Sequence, residues 1–395
     1  MKITKSIFGK EWEELEKFNK LDLDERSIVF YSESSVILYP YVEEIIRELQ
    51  NRNQKICYVT SSKDDPILKN ENKNIKVFYI GDSEIEKMKF FLRLKVRVLI
   101  MTMPDLGSYH VKRSKVFPVH YVYVFHTPAS THMVFQRSAF DQFDSIFCVG
   151  QYHVQEIRAT EQLYNLKQKN LVECGYGLLD KLIRSRSSLP QQQNFLSKNN
   201  KKNVLIAPSW GKQNLLESTG IELIKILLDA GYHVTVRPHP MTVKKSSKLI
   251  KQIKEKFEKN PDFLLDTNAS SFEQLFSSYA LITDWSGIGH EYAFVCERPV
   301  IYVDVPKKAW NKEYEKIGLE PFEISIRDKI GEIVSIQDIE SIPERIEFLY
   351  GHVTEFKSKI EKIRNDAVFN IGKSGEVAAN EIIKIVNEEK HDQNT

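Results

Sequence analysis

No run in this chain approaches the roughly twenty consecutive apolar residues of a membrane-spanning helix. The opening MKITKSIFGKEWEELEKFNK carries no apolar core of the kind a secretory signal needs, so export is not expected. An excess of one charge is missing too. Lysine and arginine number 56 against 54 acids, for a net charge of +2, which gives no electrostatic reason to expect a nucleic-acid partner. Cysteine is scarce: Cys57, Cys148, Cys174 and Cys296 lie far apart with no CxxC pair, which argues against a structural zinc site and fits a reducing cytoplasm. There is no GxxxxGK[ST] loop for a nucleoside triphosphate and no GxGxxG after a strand for a dinucleotide. Paired acids occur only in SKDDP (62–66) and LDLDER (21–26), both of which read as solvated turns. Neither a bound metal nor a cofactor is therefore expected.

What is present is an α/β rhythm, repeated. The length of 395 residues suits two ordinary domains, and 42% apolar with 28% charged residues is normal for a globular protein. SIVFY, KICYVTS, IKVFYIG, VRVLIMT, HYVYVFH and SIFCVG read as strands, with amphipathic stretches such as YVEEIIRELQNR between some of them. Near-continuous apolar strands separated by helices indicate parallel sheets covered on both faces. After the polar, basic stretch 184–203 the rhythm restarts with NVLIAPS, a helix running from LLES to Gly231, YHVTVRPHP, FLLD, YALITD and RPVIYVD. The expected organisation is an amphipathic segment at 1–26, an α/β domain at 27–183, a linker at 184–203, a second α/β domain at 204–365, and a terminal helix and tail at 366–395. The fold class is α/β with two doubly wound domains facing a cleft, and such sheets bind ligands beyond the carboxyl ends of their strands.

Four strand ends of the second domain have unusual content. APSWG places Ser209, Trp210 and Gly211 after a strand, and RPHP holds Arg237 and His239 extended between prolines. In TDWSGIGHE (283–291), Asp284 precedes Ser286, which fits a helix N-cap, and Gly287 and Gly289 leave the first-turn N–H groups open. An open helix start of this kind favours an anion, phosphate above all. The bland reading is a tight turn without a ligand. Arg237 and His239 at a neighbouring strand end tip the balance towards an anion site, while Asp284 either holds the loop or meets a ligand hydroxyl. The fourth loop, after YVD, carries Lys307, Lys308 and Trp310.

In the first domain His126 follows a strand, with Thr127 and Pro128 expected to open a helix. Histidine there suits the removal of a hydroxyl proton, although a purely structural imidazole is the plainer alternative. Glu33, His110, Arg113 and His132 are further candidates, for an acceptor, or else ordinary solvated or core groups.

IAPSWG, RPHP and LITDWSGIGHEYAFVCERPVIYVD, in this order, resemble the carboxyl-terminal half of the CDP-glycerol glycerophosphotransferase family, and VFHTP resembles that family's amino-terminal histidine motif without its glycine. The resemblance spans about residues 120–305. It implies a GT-B fold and transfer of a polyol phosphate, glycerol- or ribitol-phosphate, from a CDP-activated donor to a hydroxyl of a cell-surface glycan or polymer precursor, with release of CMP. His126 and His239 then correspond to catalytic histidines. Ser209, Trp210, Gly211, Arg237, Asp284, Ser286, Gly287 and Gly289 fall on the donor side. A cytoplasmic protein, associated peripherally with the inner face of the membrane, follows from the same resemblance. A helix carrying Ile7, Phe8, Trp12 and Leu15 is one candidate for that association, with plain domain packing the preferred reading. A sugar-transferring GT-B enzyme, a UDP-sugar 2-epimerase using Glu291, and a non-catalytic scaffold are the rival readings.

Overall fold

The computed structural model describes residues 10–33, 37–69, 75–188, 200–268 and 271–392. They form two compact units: residues 1–181, 310–319 and 367–395 make one, and residues 182–309 and 320–366 the other.

The first unit is built on a parallel sheet of β1 (Ile28–Ser32), β2 (Ile56–Thr60), β3 (Ile75–Tyr79), β4 (Val98–Met101), β5 (His120–Val124), β6 (Ser145–Cys148) and β7 (Asn170–Glu173). Their order is β3-β2-β1-β4-β5-β6-β7. Residues of β1, β2, β4 and β6 are buried throughout because helices cover both faces, whereas the edge strands β3 and β7 alternate or stay partly exposed. The helix Tyr39–Asn51 buries Val42, Ile45, Ile46 and Leu49 against this sheet, the stripe expected from its spacing. Phe18, on the helix Lys10–Asn19, packs edge-on against Phe78 at 5.4 Å between ring centroids, and Leu15 is buried beside it in sequence. Ile7, Phe8 and the side chain of Trp12 lie outside the described residues.

The second unit repeats the plan with β8 (Asn203–Ile206), β9 (His233–Val236), β10 (Phe263–Leu265), β11 (Ala280–Thr283), β12 (Val300–Asp304) and β13 (Gly331–Ser335), all parallel in the order β10-β9-β8-β11-β12-β13. The strand order reverses between β8 and β11, so APSWG and DWSG emerge side by side at the carboxyl end of the switch point.

Four expectations change. The helix read from Leu215 to Gly231 is two pieces, Leu215–Ser218 and Gly220–Asp229, because Thr219 leaves helical geometry at φ −131°. The stretch 184–203 is not all linker: its first residues finish the helix Gly177–Ser187, Asn203 opens β8, and 189–199 lie outside the described residues. The terminal helix Ser374–Asp392 is not an appendage, since Ala378, Ala379, Ile382, Ile385 and Val386 enter the core of the first unit. No helix starts at Thr127–Pro128; the short helix Thr131–Val134 begins after Ser130.

Candidate active site

The carboxyl ends of β8, β9, β11 and β12 bring together one aromatic ring and several cations. Trp210, half-buried, has Lys308 Nζ at 4.3 Å and Lys245 Nζ at 4.7 Å from its ring centroid, and the His239 ring at 6.1 Å. Lys308 also donates to the Trp210 carbonyl. Gly211 adopts φ +112°, a left-handed conformation that a side chain would strain, so the turn after Trp210 requires glycine. His239 caps the helix Pro240–Lys245, its Nδ1 accepting from the Met241 N–H at 3.0 Å. With Nδ1 an acceptor, the neutral ring carries its proton on Nε2, which is a donor suited to an anion. Burial lowers the Lys308 ammonium to about 8, with Asp284 offsetting part of the effect.

Asp284 works inside the protein. It is fully buried, and its two carboxylate oxygens accept from the backbone N–H groups of Ser209 at 2.6 Å and Leu215 at 3.0 Å. It therefore ties the APSWG loop to the switch point, and the N–H of Ser209 is spent on the same tie. Arg237 is likewise engaged within the protein: its Nε and Nη2 both bond Asp266 Oδ2, at 2.9 and 2.5 Å, which offsets its charge locally. The cap of the helix Ile288–Cys296 is Gly287, not Ser286. The turn takes up the N–H groups of Gly289, His290 and Glu291, so the open donors of the helix start are those before them. Gly289 is small for packing, since a Cβ there would stand 2.8 Å from the Tyr302 hydroxyl. Ser286 and Gly287 remain half-buried at the helix start, where the sequence put the anion.

In the first unit His126 follows β5 and is partly buried, with Nδ1 3.2 Å from the Thr102 carbonyl. A carbonyl only accepts, so Nδ1 carries the proton and Nε2 presents the lone pair. Burial holds its pKa down to about 4, which keeps the ring neutral at neutral pH. The four residues read for an acceptor are engaged internally. Glu33 Oε1 bonds Lys87 at 2.8 Å and His110 at 2.9 Å, and both Glu33 and Lys87 are buried. Burial opposes the Lys87 charge, but Glu33 and Glu84 outweigh it and raise its pKa. Arg113 is taken by Asp144 and by the carbonyls of Gln142 and Val119. His132 is a core residue, with Nδ1 3.3 Å from Glu156 and Nε2 donating to the Leu319 carbonyl at 3.1 Å. Sequence reasoning passed over Lys245 and Arg327. The first sits among look-alike surface lysines, and the second reaches the Trp285 ring, 3.8 Å away, only through the fold.

No protein of curated function matches the chain in sequence. Among solved structures it is similar to a wall teichoic acid polymerase, TagF, solved with CDPG, at 13% identity and a TM-score of 0.62 over 96% of this chain and 94% of that one. It is also similar to UDP-N-acetylglucosamine 2-epimerases. That from Rickettsia bellii gives 13% identity and a TM-score of 0.58 over 91% and 96% of the two chains. That from Methanocaldococcus jannaschii gives 15% and 0.56 over 91% and 99%. At such identities these likenesses show the fold, α/β and GT-B-like, and nothing finer. The family model for CDP-glycerol:poly(glycerophosphate) glycerophosphotransferases matches residues 16–316, well beyond the 120–305 legible by eye, and the chain belongs to that family.

Proposed function

We propose that this protein transfers a polyol phosphate, glycerol- or ribitol-phosphate, from a CDP-activated donor to a hydroxyl of a cell-surface glycan or polymer precursor and releases CMP. The observation that carries this reading, beside the family, is the set of cations and donors around Trp210 at the switch point of the second unit: Lys245, Lys308 and His239. The acceptor oxygen attacks the phosphorus bearing the polyol, the bond from that phosphorus to the bridging oxygen breaks, and the electron pair leaves with CMP. His126 Nε2 takes the acceptor proton. His239 Nε2–H, the two lysines and the start of the helix Ile288–Cys296 balance charge on the pyrophosphate. With that much positive charge from the protein, the reading includes independence from a divalent metal.

The same reading has the protein act in the cytoplasm, peripherally at the inner face of the membrane. Its four cysteines are buried and unbridged, in keeping with a reducing compartment. Among the described residues no helix is long and apolar enough to cross a membrane.

The test is a donor screen with CDP-glycerol, CDP-ribitol and CMP- and UDP-sugars, with and without a polyol-phosphate or glycan acceptor, the released nucleotide being identified by mass spectrometry. Acceptor-dependent CMP from a CDP-polyol, persisting in EDTA and reduced at least about a hundredfold in His126→Ala, is the expected result. UDP, or CMP derived only from a sugar donor, would move the protein to the sugar transferases. Full activity in His126→Ala would remove the proposed base.

A further inference from the structure

Among the described residues, five buried polar atoms gather at the start of the helix Ile288–Cys296 without a hydrogen-bond partner: both ring nitrogens of His290, the Tyr302 hydroxyl, and Nε and Nη2 of Arg327. His290 lies in the first turn, and the Tyr302 hydroxyl packs against Gly289. The Arg327 guanidinium carbon lies 3.8 Å from the Trp285 ring centroid and 5.0 Å from that of Tyr302. All three side chains belong to residues at most 3% exposed.

A buried polar atom left unpaired forfeits its hydration without compensation, and the cost is greater when the atom is charged. Among the described residues the carboxylate within ion-pair reach of Arg327 is Asp304, 3.7 Å from Nη1, and that carboxylate is 55% exposed and so well solvated. Asp284 also feels the guanidinium, but its two oxygens are already held by backbone N–H groups. A cation with this little compensation, stacked on the tryptophan two residues before Gly287, adds positive potential to a helix start that already favours anions. Arg237, the cation first read for this place, is by contrast cancelled by Asp266.

The geometry points to Arg327 as the buried counter-charge of the anion site at this helix start, a positioning residue that orders Trp285 by stacking and favours the pyrophosphate of a nucleoside diphosphate. This rests on the donor-binding role proposed above for the same turn. Calorimetric titration of the full chain with inorganic pyrophosphate, CDP and UDP tests it, at low and high salt, on wild type, Arg327→Lys, Arg327→Met and Asp304→Asn. Arg327→Met should weaken pyrophosphate and CDP at least about tenfold and flatten the salt dependence, while Arg327→Lys stays within about threefold of wild type. Asp304→Asn, a change at an exposed side chain, should tighten pyrophosphate about twofold at low salt and lose that gain at high salt.

Wild-type affinity in a folded Arg327→Met overturns the inference. Should that variant not fold, an unchanged affinity in Asp304→Asn overturns it equally. No binding of pyrophosphate by the wild type would sink both this inference and the donor reading. UDP bound in place of CDP, with the same dependence on Arg327, would correct the donor and leave Arg327 its role.

Discussion

Lys308 concentrates the electrostatics of the proposed donor site in one side chain. Its pKa is lowered to about 8, chiefly by burial. Below that pH the ammonium is charged and favours phosphates; as pH rises through about 8 it loses its proton and the attraction with it. CDP affinity should therefore decline above about pH 8, and Lys308→Arg, charged at every accessible pH, should remove the decline. A flat wild-type affinity from about pH 7 to 9.5 would show that Lys308 does not face the donor. At this scale the sequence was a good guide to which residues sit at strand ends and a poor one to their bonding. Trp210 and His239 stand where expected. Arg237 and His132 turned inward because their partners, Asp266 and Glu156, lie 29 and 24 positions away, and neither pairing leaves a mark in local spacing.

Among the elements, the turn 284–289 shows how one short segment combines tasks that look alike in sequence. Asp284 fastens a neighbouring loop, Trp285 donates its indole N–H to the Val305 carbonyl at 3.0 Å, and Gly289 admits Tyr302. An anion site was legible there from small residues at a helix start, but one glycine of the pair is explained by packing alone. Gly289→Ala would force a methyl group against a fully buried tyrosine, at a cost of about 1–3 kcal/mol. Urea denaturation reads this directly, and a midpoint equal to wild type would mean that Tyr302 yields easily. The break at Thr219 escaped the sequence because a polar residue before a glycine is compatible with helix as well as with a joint; packing of Leu215 and Leu216 into the core chose the joint.

For the molecule as a whole, the chain's last segment completes its first unit. Asp180 accepts from the Gly372 and Ser374 N–H groups at 2.7 and 3.0 Å, and the helix Ser374–Asp392 lies so close to the helix Tyr39–Asn51 that a Cβ on Gly375 would stand 2.7 Å from the Glu44 carbonyl. Burying Ile382, Ile385 and Val386 contributes about 1.5–3 kcal/mol each, and together that rivals the net stability of an ordinary domain. A chain truncated after Asp366 should lose hydrogen-exchange protection in β1 and β4 of the first unit while β8 and β11 of the second keep theirs. Equal protection in both units would show that the terminal helix is dispensable.

The sequence by itself determined the class of fold, the two parallel sheets and the strand ends that carry chemistry, because strand burial and turn composition are local properties of a chain. It also carried enough of its motifs to mark the family. The tertiary structure alone decided which polar groups are spent on the protein, which cations surround Trp210, and that a terminal helix closes the first core. Those outcomes depend on pairings between distant segments, where a charge is cancelled or left open by a partner that only folding brings within about 3 Å.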